Sequence, residues 1–376
     1  MQLPIPRSVS IMLLTVGLLV STSVSATYTF TDLNLFSRNE SYPPILAVNN
    51  ARQVLMEEHS RTRLLDFTQD NSFDVWDTDI VSFNDVNQLV GSLRDSNSNQ
   101  QAALWHSTSK GLSAPIILGF PATAHNNSQA VGINNVDQVI GYIFSSDNAA
   151  HNAVRWDKEI PTILDSLAVS FNHNGVRDVN DNGVVVGTSI AEDGSQHAVL
   201  WNGKEITDLS PDGNFSEASQ INNAGLVVGG SYSNDLNEMH ATLWNGSTQM
   251  DLGALSGYFS FASSINNANE IVGFYETRNS DAITGSTLYD RRAALWNGAN
   301  AFDLNTLLAP GVQSEGWVLN TATSINDEGW IVGESYNAIT DTYSAYLLTP
   351  VPLPASAWMF ISAIVGFIGF ARNRKK

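Results

Sequence analysis

The 376-residue sequence contains no cysteine, so disulfides, thiolate nucleophiles and cysteine metal ligands are all excluded. Basic residues are scarce, with 18 Lys and Arg against 37 Asp and Glu. Residues 27–350 carry all 37 acids and only 13 of the bases, which gives 13 − 37 = −24. A surface of that sign repels nucleic acid and anionic lipid and suits a soluble secreted protein in contact with divalent cations. With 43% hydrophobic residues and nine tryptophans, the chain can bury a core and is not disordered.

Long apolar runs occur only near the two ends. Ile11–Val20 (IMLLTVGLLV) follows a single positive charge, Arg7, and precedes the small residues Val24-Ser25-Ala26. That build predicts a secretory signal peptide over residues 1–26, cleaved by signal peptidase after Ala26. The other run, Ala355–Ala371, reaches the lower length limit for a membrane-crossing helix and is followed by Arg372, Arg374, Lys375 and Lys376. Residues 351–376 are therefore expected to hold a helix in the membrane at least transiently, basic tail inside and body outside.

Between these ends one phrase recurs: FNDVNQLVG from Phe83, INNVDQVIG from Ile133, VNDNGVVVG from Val179 and INNAGLVVG from Ile221. INNANEIVG from Ile265 and INDEGWIVG from Ile325 complete the clear copies, and VNNARQVLM from Val48 is a worn one. The first asparagine of each copy (Asn49, Asn84, Asn134, Asn180, Asn222, Asn266 and Asn326) marks a period averaging about 46 residues. Three positions later stand Arg52, Asn87, Asp137, Gly183, Gly225, Asn269 and Gly329. Apart from Arg52, these are residue types that tolerate a left-handed backbone, as a tight turn requires. One position after the marker, Asn and Asp interchange (Asn50, Asp85, Asn135, Asp181, Asn223, Asn267, Asp327), which reads as a side-chain oxygen capping its own turn.

A β-branched run ending in glycine follows each turn and predicts a second strand, the glycine marking a close backbone approach. AALW at Ala102, AVRW at Ala153, AVLW at Ala198, ATLW at Ala241 and AALW at Ala293 predict a third strand. Asn-Gly at 202–203, 245–246 and 297–298 then signals a hairpin into a fourth strand such as ITDL or FDL. Four-stranded units of this length predict an all-β propeller over residues 27–350, with about seven blades. The last copy stops at Ala345–Leu348 without a fourth strand, whereas Phe30-Thr31-Asp32-Leu33 matches one. The two termini are expected to complete one blade together.

The copies resemble the HAF repeat family of extracellular proteins, through HAVLW at His197, HATLW at His240 and DLNTLL at Asp303 leading to GWVL at Gly316. That resemblance implies export and a propeller-like fold, and no reaction. The C-terminal residues Val351, Pro352, Leu353, Pro354 and Ala355, with Trp358, Gly366, Gly369 and the basic tail, resemble the VPLPA form of the PEP-CTERM sorting signal. This implies processing by exosortase, a membrane transpeptidase, in a bacterium that secretes exopolysaccharide.

No catalytic, cofactor-binding or metal-ligating residue is assigned. Asp178-x-Asn180-x-Asn182-Gly183 opens like a calcium loop, but Ser189 stands where a bidentate carboxylate is needed. His197 and His240 share a repeat phase and are read as strand-end contacts. The in-phase tryptophans 105, 156, 201, 244 and 296 are read as packing between blades, and Trp76, Trp317 and Trp330 as better candidates for a binding surface. Glu57 with Glu58, or Asp77 with Asp79, are weak candidates for an acid–base pair. The segments 276–291 and 309–324 exceed what the repeat needs and are the places expected to contact a ligand. The function expected is a non-enzymatic binding or structural protein of the cell surface or biofilm matrix, with polysaccharide as the candidate partner and no nucleic acid. The alternatives are a secreted polysaccharide hydrolase or lyase and a permanently tail-anchored protein.

Overall fold

The computed structural model describes residues 28–33, 46–58, 61–69, 71–76, 78–108, 111–119, 126–145, 151–168, 174–233, 238–253, 255, 258–280, 287–298 and 300–351. The signal segment with Ala26, and the tail with Pro352, Leu353, Pro354, Ala355 and the apolar run after it, lie outside the described residues. Among the described residues no helix is long and apolar enough to cross a membrane.

Seven antiparallel sheets make a β-propeller. Blades I to VI span 46–76, 79–117, 127–163, 174–208, 216–251 and 259–303, each strand pairing with the next in sequence. Blade II adds a two-residue strand, Gly111–Leu112, beside its third. Blade VII takes three strands from 317–350 and its fourth from Tyr28–Asp32, with Tyr28 opposite Pro350 and Asp32 opposite Tyr346. The sequence-based expectation of a ring closed by both termini is thus met. Closure pairs the edge that blade VII would otherwise expose.

The core is divided among the junctions. Each of seven buried clusters draws side chains from two neighbouring blades. Trp156, Trp201 and Trp244 are fully buried, each packed with residues of the preceding blade. Trp105 and Trp296 sit equivalently. No blade can bury its own faces, so the ring is the folding unit.

The glycine seven residues after the marker has a steric cause. The first strands of blades II to VII each carry a one-residue bulge, as between Ala218 and Gln220. The bulge curves that strand into its neighbour. A Cβ on Gly229 would stand 1.9 Å from the Glu217 carbonyl oxygen, and Gly141 meets Gln129 at the same distance. Blade I has Met56 at this position, and its shorter first strand, Leu46–Val48, shows no bulge.

Candidate functional site

The marker turns surround one end of the central channel. The residue three positions after each marker has positive φ in all seven blades, from +59° at Arg52 to +82° at Gly225, with Gly183 at +76° and Gly329 at +77°. Each marker side chain does two jobs. The Asn222 Oδ1 accepts the N–H groups of Ala224 and Leu226, closing its own turn. Its Nδ2 donates to the Asn266 carbonyl of the next blade at 3.1 Å. The same inter-blade bond runs from Asn49 to Asn84, Asn84 to Asn134, Asn134 to Asn180, Asn180 to Asn222, Asn266 to Asn326 and Asn326 back to Asn49. Seven buried asparagines therefore form a closed circle of charge-neutral hydrogen bonds.

The Asn/Asp position beside it acts between blades, which corrects the expectation of local turn capping. The backbone N–H of each such residue donates to the Oδ1 of its counterpart in the next blade, from Asn50 to Asp85 and so around to Asp327 and Asn50. Local capping belongs instead to the marker. The interchange of Asn and Asp also has a reason. Asp85 Oδ2 accepts from both Asn50 and Asn135, Asp181 from Asn135 and Asn223, and Asp327 from Asn50 and Asn267. Carboxylates never neighbour one another in this ring. Together the two rings line a cavity of about 220 Å³.

One wall residue of the channel titrates unusually. Burial lifts the Asp178 carboxyl to about 6, although it accepts the Ile221 N–H at 3.0 Å. Gln220 Oε1 takes the equivalent Ile265 N–H in the next blade. The calcium-loop pattern disperses: Asp178 serves Ile221, Asn180 serves its own turn and Asn222, and the Asn182 amide donates to the Asn223 carbonyl.

His197 stands in a Ser–His–Asp order, with Nε2 at 2.8 Å from Ser195 Oγ and Nδ1 at 2.8 Å from Asp208 Oδ2. Yet Ser195 Oγ also donates to Asp193, and the N–H groups of Gly194 and Ser195 are engaged by Ala191 and Asp193. Both of those N–H groups are thus committed to the serine's own turn. His240 repeats the pair with Asp251 at 2.8 Å and has no serine, so the His–Asp contact ties the third strand to the fourth in both blades. Trp317 packs on Phe30 within blade VII and Trp330 on Phe67 at the junction of blades VII and I, and both are half-buried. The side chains of Trp76, Glu57, Glu58 and Asp77 lie outside the described residues, and Asp79 faces Ser92 on its own sheet.

The two long segments converge. Glu276, Asp290, Arg291 and Arg292 of blade VI face Val318, Asn320, Thr321, Glu334, Tyr336, Ala338 and Tyr343 of blade VII across a cleft of about 580 Å³. That size is ordinary for a ligand pocket. Its blade VII wall is braced by the preceding loop. Asp303 Oδ1 caps the 3₁₀ turn Leu304–Leu307 through the Asn305 N–H. Asn305 then bonds both the N–H and the carbonyl of Leu319, so DLNTLL fixes the cleft wall. The first strand of blade VII, Trp317–Ile325, carries a second bulge between Leu319 and Thr321, at Asn320. No other first strand shows two, and an added bulge re-aims a side chain.

Inside the cleft the charges are unevenly matched. Arg291 Nε lies 3.0 Å from Glu276 and its guanidinium 4.5 Å from the Phe274 ring, and Arg292 lies 4.0 Å from Asp290. Glu334 is half-buried, and among the described residues none donates a hydrogen bond to its carboxylate. Burial raises its pKa, while the Arg291 charge pulls the other way. Tyr336 and Tyr343 oppose each other across paired strands, ring centroids 5.1 Å apart.

Fold and site together define a seven-bladed β-propeller with an asymmetric cleft between blades VI and VII. No family model and no curated protein matches the chain. Among solved structures it is similar to an acylaminoacyl peptidase (12% identity, TM-score 0.47, covering 78% of this chain and 50% of that one). It is also similar to dipeptidyl peptidase 4 of Porphyromonas gingivalis (10%, 0.44, 80% and 51%). A Trypanosoma rangeli sialidase in complex with the inhibitor DANA is a third (11%, 0.38, 90% and 62%). The chain spans about half the length of the first two, and these likenesses are of fold alone.

Proposed function

We propose that this chain is an exported, non-enzymatic binding propeller of the cell surface or polysaccharide matrix, brought there by signal peptidase and exosortase. The observation that carries the reading is the cleft's position relative to the chain ends. Tyr28 and Pro350 pair side by side at the marker-turn face, next to Gly329. Tyr343 lies near the start of the strand Thr342–Pro350, so that end of the cleft lies about 23 Å further along, toward the opposite face. A body tethered through residue 351 would hold the cleft away from the membrane.

A hydrolase would place two carboxylates on either side of a bound sugar. Here Glu276 is held by Arg291 and Asp290 lies beside Arg292, which leaves Glu334 alone. That arrangement favours recognition over cleavage. Residues 27–350 should bind members of a glycan array and release no new reducing ends from them. Substituting Tyr343 by alanine should weaken every interaction detected. Binding indifferent to that change would place recognition elsewhere. Intact-mass analysis of surface and medium fractions tests the sorting: a product that keeps residues 357–376 contradicts exosortase cleavage.

A further inference from the structure

We propose that the cleft between blades VI and VII receives a saccharide bearing a free ammonium group, such as a de-N-acetylated amino-sugar chain, with Glu334 as its counter-ion and Tyr336 and Tyr343 as its stacking surface. This rests on the binding function proposed above and names the ligand class for that site.

The argument begins with charge. Among the described residues three carboxylates and two guanidinium groups line the cleft, and each guanidinium has a carboxylate neighbour. The remaining negative charge is Glu334, half-buried and without a hydrogen-bond donor among the described residues. An ionised carboxylate held away from water recovers its lost solvation when a cation meets it. A neutral sugar cannot supply that cation, and an anionic one would add repulsion in a body of charge −24 (13 − 37).

Geometry supplies the rest. Glu334 and Tyr336 lie two residues apart on one strand and so share a face, and Tyr343 is paired with Tyr336. A ring seated on these tyrosines would direct an equatorial substituent toward Glu334, and an ammonium beside the aromatic faces gains cation–π attraction as well. Tyr343 is 53% exposed, as a platform open to a polymer must be. The amide of Asn320, re-aimed by its bulge, and the paired arginines offer donors and acceptors to hydroxyl groups along the chain. A compact polyamine would leave both rings and these polar groups unused, so nothing directs it to the cleft rather than to the rest of the acidic body.

Calorimetry on residues 27–350, a body that closes on itself through Tyr28–Asp32, tests this with three probes: hexamers of glucosamine, N-acetylglucosamine and glucose. The glucosamine hexamer should bind at least tenfold tighter than the other two. Glu334→Gln should abolish that preference while leaving the weaker binding of the acetylated hexamer within threefold. Tyr343→Ala should weaken all probes that bind. Spermidine controls for general attraction to an acidic body, and its affinity should change less than threefold in Glu334→Gln. Equal affinity for the glucosamine and acetylated hexamers overturns the proposal, as does a preference that survives Glu334→Gln. Should none of the three hexamers bind while another array glycan binds through Tyr343, the ammonium assignment fails and the broader binding function stands. Thermal melts within 2 °C of the parent confirm that both variants are folded.

Discussion

Replacing Asn222 by alanine separates a buried ring of hydrogen bonds from an exposed one beside it. Asn222 is 4% exposed and makes four side-chain bonds. Truncation strands the N–H groups of Ala224 and Leu226, the Asn266 carbonyl and the Asn269 Oδ1. A lost bond costs about 1 kcal/mol and an orphaned buried group about 1–3, with partial relaxation, so about 3–5 kcal/mol is expected. Asn223, one residue on, is exposed and bonds Asp181 through both its Oδ1 and its Nδ2. Water can replace those partners, and Asn223→Ala should cost less than about 1 kcal/mol. Urea unfolding followed by tryptophan fluorescence measures both, since Trp244 and Trp296 are buried in the adjoining junctions. A difference between the two variants of less than about 1 kcal/mol would refute the claim that the marker circle holds the blades together.

Three other outcomes follow from the same geometry. Gly229→Ala pushes a methyl group to 1.9 Å from the Glu217 carbonyl oxygen, so it should cost at least about 3 kcal/mol in the same unfolding assay; a loss under about 1 would mean the bulge opens freely. Deleting residues 28–33 from the 27–350 body removes the closing strand, and size-exclusion chromatography should show aggregates; a stable monomer with an unchanged melting temperature contradicts closure. Asp178 titrates at about 6 when folded against the ordinary 3.8. The folded state therefore keeps a proton that the unfolded state has lost. Stability from this group is full below about pH 4, falls by about 2–3 kcal/mol as pH rises to about 6, and stays lower above. Asp178→Asn, which copies the acceptor role of Gln220, should stabilise at pH 7 and change little at pH 4. An unaltered slope between pH 4 and 6 counts against the assignment.

What the sequence made legible is what the chain repeats. Positive φ at Asn87, Asp137 and Gly225 could be read from residue type, because few side chains tolerate that backbone. The close approach at Gly229 could be read from glycine recurring after a β-branched run. The missing fourth strand of blade VII announced Tyr28–Asp32 because every other period had one. The Asn/Asp position was misjudged for an equally physical reason. A side-chain oxygen two residues from an N–H has a local partner available, and nothing in one linear period shows that the next blade's N–H lies closer. Only closure puts Asp85 between Asn50 and Asn135.

The cleft marks the other limit. Its residues follow no repeat: Glu334 stands where other second strands carry Ser92, Tyr142 or Thr188, and Asn320 exists only as an additional bulge. The insertions at 276–291 and 309–324 indicated where the symmetry breaks, since a seven-fold ring needs neither. They could not indicate that both breaks face one another, because that depends on blades VI and VII being neighbours with both segments on the same face. In a ring whose repeated positions are committed to holding blades together, recognition of a ligand falls to positions free of the repeat.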